Sequence, residues 1–363
     1  MADFKGNRGE WSEIYALFRL IADKQLTEGD KYLQPNGNVQ PIQRIQRTHS
    51  VKHDFQLDQT GVDVHLAGTH HCRVPYIDFE NAANVLLQTI TTFSGRSYVQ
   101  NSTVGVGQFI SSLGLSSIKA KASDKADINV EIYDARTSSP VDLAFTLKSL
   151  LGGSATLLNA SDATTFRYRV DNISAATATA VNTLNGSNKI VKRLNFLRGR
   201  TSAAITYLQA NNSVFRSNLQ LIDSSLDKIV GKMLLDSFSM PGRKINELTD
   251  QMAKSNPLSY DVSHNHQFYE YKIKKFLVES AIGMMPATVW TGVAETTGGV
   301  IFVKGDGELI TFYLFNRNDL EDYLFENIKF DSPSSSRTRI CEVSYDQANG
   351  YYFFDLTLQL RYI

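Results

Sequence analysis

Two β-prone runs, 128–133 and 141–149, flank the turn sequence Arg136-Thr137-Ser138-Ser139-Pro140. Val, Ile, Phe, Tyr and Thr are frequent in them, and small polar residues with proline favour a reversal between them. The pattern predicts an antiparallel hairpin. A hairpin lays the start of its first strand beside the end of its second, and side chains two apart share a face. Leu143, Phe145 and Leu147 then face one way, and Asp142, Ala144, Thr146 and Lys148 the other. Asp127 opens the first strand and Lys148 lies near the end of the second, so this fold brings an acid to a lysine.

That pairing has a chemical use. Nucleases that cut with a metal-activated water need a carboxylate to hold the metal and a lysine near the water. The metal draws charge from the phosphate and lowers the pKa of bound water. The generic pattern has a second acid two residues before the lysine, where this chain has Thr146. A hydroxyl is a poor ligand for Mg²⁺, which favours carboxylates and water, so another acid must complete the set. The spacing of Trp11, Ile14, Tyr15, Phe18 and Ile21 predicts an amphipathic helix over 10–24. Its Glu13, and less directly its Glu10, are the candidates. Glu131 shares the Asp127 face but lies roughly 13 Å along the strand. Asp142 lies as deep below Lys148, and a structural role is expected for it.

The remaining residues set bounds. A chain of 363 residues has room for two domains, expected at 1–173 and 174–363. No run approaches the length of a membrane span. Residues 1–6 lack a basic segment leading into an apolar one, so no signal peptide is expected. Only Cys72 and Cys341 occur, which suits a reducing cytoplasm. The 37 Lys and Arg balance 37 Asp and Glu. A neutral chain is not a general polyanion coat, but what matters for DNA is where charge sits. Segment 187–244 holds ten basic residues against Asp223, Asp227 and Asp236, which points to a polyanion or to a solvated helical face.

Helices are also expected over 79–93, 174–184, 201–210, 212–235, 266–284 and 319–326, with a loop or short helix over 154–163. Strands are expected at Val62–Leu66, 166–170, 300–304, 309–315 and 351–362, a turn at Pro35-Asn36-Gly37, and a strand with a glycine-broken turn over 97–115. His65, His70, His71 and Cys72 form a cluster without the second ligand pair that zinc would want. Ser149, Thr156, Asn159 and Ser161 are candidates to meet the DNA backbone, and Arg198 and Arg200 to grip a phosphate or read a base. Arg337 could reach guanine or phosphate, whereas Arg339 reads as plain surface.

The segment Gly6-Asn7-Arg8-Gly9-Glu10-Trp11-Ser12-Glu13-Ile14-Tyr15 resembles the opening of HpaII-type restriction endonucleases. So do Lys125-Ala126-Asp127-Ile128, Phe145-Thr146-Leu147-Lys148-Ser149 and Gly152-Gly153-Ser154-Ala155-Thr156-Leu157-Leu158-Asn159-Ala160-Ser161. Thr297-Gly298-Gly299, Asn316-Arg317, Asp322-Tyr323-Leu324, Pro333-Ser334-Ser335-Ser336-Arg337 and Leu358-Gln359-Leu360-Arg361 continue the likeness in order; 174–260 matches least.

The resemblance implies an α+β protein with a PD-(D/E)XK-type core, a mixed central sheet flanked by helices, plus helical and β-hairpin DNA-binding elements. It implies Mg²⁺-dependent hydrolysis of double-stranded DNA to a 5′-phosphate, with CCGG as target. Asp127 would then be a metal ligand, Lys148 would orient or activate the water, and Glu13 and Glu10 would contribute from the helix. A companion DNA methyltransferase is implied, and a palindromic target favours a homodimer. The rival reading is a sequence-specific DNA-binding protein whose nuclease site has decayed at Thr146. A structural or carbohydrate-binding protein is a third, prompted by the many Ser, Thr, Asn and Tyr residues.

Overall fold

The computed structural model describes residues 3–48, 50–95, 97–119, 126–134, 138–153, 155–294, 296–333 and 341–363. Lys125, Arg136, Thr137, Ser154, Arg337 and Arg339 lie outside the described residues. The chain forms two compact units. The first is Met1–Ala155 with Ala281–Gly283 and Ala294–Tyr323; the second is Thr156–Ser280, Met284–Val293 and Leu324–Ile363. The first unit thus recruits a hairpin from late in the sequence.

The chain runs β1 (Phe4–Asn7), α1 (Arg8–Asp23), β2 (Gln25–Gly29), β3 (Pro35–Thr48), β4 (Lys52–Leu57), β5 (Val62–Leu66), β6 (Thr69–Val74), α2 (Tyr76–Thr92), β7 (Ser97–Gln100), α3 (Gly105–Ser112), β8 (Ile128–Asp134) and β9 (Ser139–Ser149). There follow β10 (Thr156–Leu158), β11 (Thr165–Asp171), α4 (Ala175–Thr183), α5 (Lys189–Arg198), β12 (Ala204–Ala210), α6 (Ser213–Ile222), α7 (Leu226–Ser237), α8 (Ile245–Ser255) and α9 (Phe268–Ile282). The last elements are β13 (Gly299–Val303), β14 (Leu309–Tyr313), α10 (Arg317–Asn327), β15 (Ile328–Phe330), β16 (Ser344–Asp346), β17 (Tyr351–Thr357) and β18 (Leu360–Tyr362).

The protein is mixed α+β. In the first unit nine strands form one sheet in the order β2-β14-β13-β9-β8-β3-β4-β5-β6. β13 runs parallel to β9, with Phe302 opposite Lys148, and β14 runs parallel to β2. β2 pairs a second time with β3, which closes six of the strands into a ring. The expected hairpin is β8–β9, with Ile128 opposite Phe145 and Asp134 opposite Ser139. Gly299 has φ +134, and a Cβ there would sit 2.0 Å from the Phe312 carbonyl oxygen. Only glycine admits the close approach of β13 to β14 at that point.

Helix α1 forms as its periodicity demands, burying Trp11, Ile14, Tyr15, Phe18 and Ile21. Asn7 caps it: its side chain accepts from the Glu10 N–H (3.0 Å), and Glu10 Oε2 accepts from the Asn7 N–H (2.8 Å). Trp11 stacks on Tyr98, with ring centres 4.7 Å apart. Phe79 of α2 meets Phe18, Phe55 and Phe109 edge-on, at 5.7, 6.3 and 5.2 Å.

In the second unit β12-β11-β17-β16 make an antiparallel sheet, and β10-β18-β15 a smaller one. The expected final strand is split between them, as β17 and β18. Tyr168 stacks on Phe354 (5.4 Å), and its hydroxyl donates to the Gly231 carbonyl of α7 (2.7 Å).

Several elements differ from expectation. Residues 204–210 form strand β12, not a helix, because Ile205, Thr206 and Tyr207 are branched or aromatic residues that suit a pleated surface. Pro35-Asn36-Gly37 opens the long strand β3 instead of making a turn, and 105–112 is a helix. Residues 212–235 divide into α6 and α7, and α5 and α8 were unforeseen.

Phe79 is fully buried. Phe79→Ala should cost about 3–5 kcal/mol, read as a fall in the urea midpoint at unchanged m-value.

Candidate active site

Asp127 stands one residue before β8, and its N–H donates to the Phe145 carbonyl (2.9 Å), extending the hairpin ladder by one rung. That fixes the carboxylate over β9. Oδ2 accepts from the Leu147 N–H (2.6 Å) and from the Thr146 hydroxyl (2.9 Å). Among the described residues Oδ1 accepts no hydrogen bond. Thr146, in the place of the generic second acid, therefore orients the first one. It is 6% exposed, and a carboxylate there would meet Asp127 with like charge.

Glu13 comes to this centre from α1. Its Oε2 accepts from Arg47 Nη2 of β3 at 2.5 Å. Burial pushes the Glu13 carboxyl up to about 7. Arg47 opposes that shift, Asp127 and then Glu10 add to it, and Lys148 pulls it back. The carboxylates of Glu13 and Asp127, the Lys148 ammonium and the Arg47 guanidinium thus share one electrostatic neighbourhood. Lys148 makes no hydrogen bond or ion pair among the described residues.

Glu10 is differently employed. Oε2 closes the α1 capping box, and Oε1 pairs with Lys119 (3.2 Å). The two more distant acids bind Arg44: Glu131 at 2.7 Å and Asp142 at 3.2 Å. Among the described residues no three or more His, Cys, Asp and Glu side chains are arranged to hold a metal ion. Among the described residues Asp127 Oδ1 and Glu13 Oε1 accept no hydrogen bond, and two such carboxylates are the kind of donor set that suits Mg²⁺. That ion is commonly held by one or two carboxylates, with water and substrate phosphate completing its shell.

The Ser149 hydroxyl donates to Ser12 Oγ of α1 (2.9 Å) and accepts from the Leu151 N–H (3.2 Å). Thr156, Asn159, Ser161, Arg198 and Arg200 belong to the second unit. Thr156 pairs with Arg361 across β10–β18, and the Ser161 N–H donates to Thr164 Oγ1 (3.0 Å). Arg198 donates to the Leu235 carbonyl (3.0 Å) and to Ser239 Oγ, while Arg200 lies over the Phe196 ring. Arg193 is buried and donates to the Asn182, Leu184 and Cys341 carbonyls, so part of the basic excess in 187–244 is structural. His70 faces Asp63 and His71 bonds the Ser112 carbonyl. Arg47 went unforeseen: the sequence gives no sign that a charged residue two places after Ile45 turns inward with it.

The profile of the family described as HpaII restriction endonuclease matches residues 7–362. The type II restriction enzyme HpaII of Haemophilus parainfluenzae is 37% identical over 362 residues, covering 99% of this chain and 99% of that protein. No solved structure matches the chain. An acid–lysine hairpin inside a full-length match of this kind defines a hydrolase of the restriction endonuclease class, a type II site-specific deoxyribonuclease with DNA as substrate. Within that class, the chain belongs to the HpaII restriction endonuclease family. Among the described residues, no helix is long and apolar enough to cross a membrane.

Thr146→Val keeps the shape and removes one donor from Asp127. It should cost about 1 kcal/mol in urea unfolding and slow DNA cleavage about tenfold, the factor that a barrier higher by about 1.4 kcal/mol gives, at unchanged DNA affinity in a gel-shift titration.

Proposed function

We propose that this enzyme cuts double-stranded DNA at CCGG in a Mg²⁺-dependent reaction on a PD-(D/E)XK-type core. The observation that carries this reading is the Asp127 carboxylate fixed by the Leu147 N–H and the Thr146 hydroxyl, next along β9 to Lys148, with Glu13 in the same electrostatic neighbourhood. The end-to-end likeness to an enzyme named type II restriction enzyme HpaII supports the related target.

Asp127 and Glu13 would hold the ion through Oδ1 and Oε1. A bound Mg²⁺ supplies charge against the scissile phosphate and acidifies a coordinated water. Lys148, which makes no hydrogen bond or ion pair among the described residues, would orient that water and offset charge on the phosphate in the transition state. Thr146 and the Leu147 N–H keep the Asp127 carboxylate turned. Attack of the water oxygen on phosphorus would break the P–O3′ bond; the water would give up a proton and O3′ would take one, leaving a 5′-phosphate and a 3′-hydroxyl. Glu10, committed to the helix cap and to Lys119, acts as support for α1.

The proposal extends to the setting. A symmetric four-base target suits a homodimer, and a cytoplasmic enzyme of this kind needs a companion methyltransferase on the host's own sites. Thr156, Asn159, Ser161, Arg198, Arg200 and Arg337 are its proposed DNA contacts beyond the centre, with Ser149 assigned instead to the junction of β9 and α1.

Plasmid incubated with Mg²⁺ should yield discrete fragments whose sequenced ends fall within CCGG. Asp127→Ala and Lys148→Ala should each lower cutting at least a thousandfold while gel-shift affinity stays within a few-fold. Wild-type cutting by either variant would remove that residue from the site. An intact plasmid with both Mg²⁺ and Mn²⁺ would favour a DNA-binding protein without catalysis.

A further inference from the structure

Arg47 is the one charged side chain of the centre that is sealed from solvent, at 2% exposure. Its Nη2 donates to Glu13 Oε2 (2.5 Å) and to the Ile118 carbonyl (3.2 Å). Its Nε and Nη1 are buried with no hydrogen-bond partner among the described residues. Asp127, beside Glu13, adds its field to the same guanidinium. A buried guanidinium with two nitrogens unpaired is costly, and it persists only where fixed negative charge surrounds it. Here that charge is the two carboxylates proposed to hold the metal.

The surroundings supply an account. Centres that hold two divalent ions need enough carboxylate charge for both. This one has Thr146 in place of an acid, and Glu10 is engaged with Asn7 and Lys119. Arg47 and Lys148 already balance Glu13 and Asp127 one for one. A first divalent ion would be completed by phosphate from the DNA; a second would find no uncommitted carboxylate in this centre among the described residues.

We propose that Arg47 is a built-in second cation of this centre: it positions Glu13 and restricts the site to a single divalent ion. The inference rests on the reading of Asp127 and Glu13 as metal ligands. Arg47 acts through those carboxylates and is a positioning residue. Its charge lowers the affinity for the ion while its fork holds Glu13 in place.

The test is a count. Mn²⁺ bound to the full chain with excess duplex DNA is measured by the electron paramagnetic resonance signal of free Mn²⁺. The wild type should hold one ion per chain, and Asp127→Ala should hold none. Arg47→Met, checked for folding by circular dichroism, should bind Mn²⁺ about tenfold tighter, since a neighbouring positive charge is gone. Arg47→Lys should restore wild-type affinity. Side chains that served only as scaffold would give the opposite sign, because a loosened Glu13 weakens binding.

Two ions per wild-type chain, both lost in Asp127→Ala, would overturn the role of Arg47 and leave the metal reading intact. So would unchanged or weaker Mn²⁺ binding by folded Arg47→Met. If that variant does not fold, the wild-type count and the Arg47→Lys affinity decide. No bound ion in the wild type, or an ion that persists in Asp127→Ala, would overturn the metal site itself and this inference with it.

Discussion

The centre depends on how one carboxylate is tied to the backbone. Asp127 is both the first rung of the β8–β9 ladder and the acceptor of the Leu147 N–H two positions past its own partner, Phe145. The direction of its side chain is therefore set by main-chain geometry. Hydrogen bonds to a charged acceptor in a partly buried place are among the stronger ones proteins make. β13 then braces β9 from its other edge, placing Phe302 across from Lys148. The acid and the lysine are held by neighbouring central strands, the most rigid elements available to a site.

Around that anchor the charges are arranged by depth. Glu13 reaches the centre from a helix that buries Trp11, Ile14, Tyr15, Phe18 and Ile21, and burial raises its proton affinity. Arg47, deeper still, offsets the crowding of Glu13 against Asp127. Lys119, paired with Glu10, is mostly in water. This arrangement makes a site that tolerates its own acids before any ligand arrives.

The parts that could be read from sequence are those where one residue pattern has one physical solution. The hairpin, α1, α2 and β13–β14 all follow from alternation or helical spacing over several residues, and each is found. The polar strand β3 hid because its exposed residues, such as Asn36 and Asn38, carry no apolar alternation; what holds that stretch is pairing with β2. β12 hid inside an alanine- and threonine-rich stretch. At the candidate site, spacing alone points to Asp127 and Lys148, and helix position with resemblance points to Glu13. Nothing in the sequence points to Arg47, which the structure sets against Glu13. Whether a strand arginine turns inward depends on which acids lie across from it, and those come from α1 and from the residue before β8. The ten basic residues of 187–244 show the same limit from the other side: Arg193 reads as surface charge and is a buried clamp on three carbonyls.

The ring of strands has a consequence for a growing chain. β2 near the start must pair with β14, and β9 with β13, so both partners are among the last third of the sequence to leave the ribosome. A nascent chain carries Asp127, Lys148 and Glu13 long before it carries the strands that brace β9. Sheets joined by such distant pairings form late and slowly. A polypeptide interrupted part-way is then left with an open sheet edge where the hairpin should be flanked. The topology thus defers completion of the first unit's sheet until β13 and β14 have been made, late in translation.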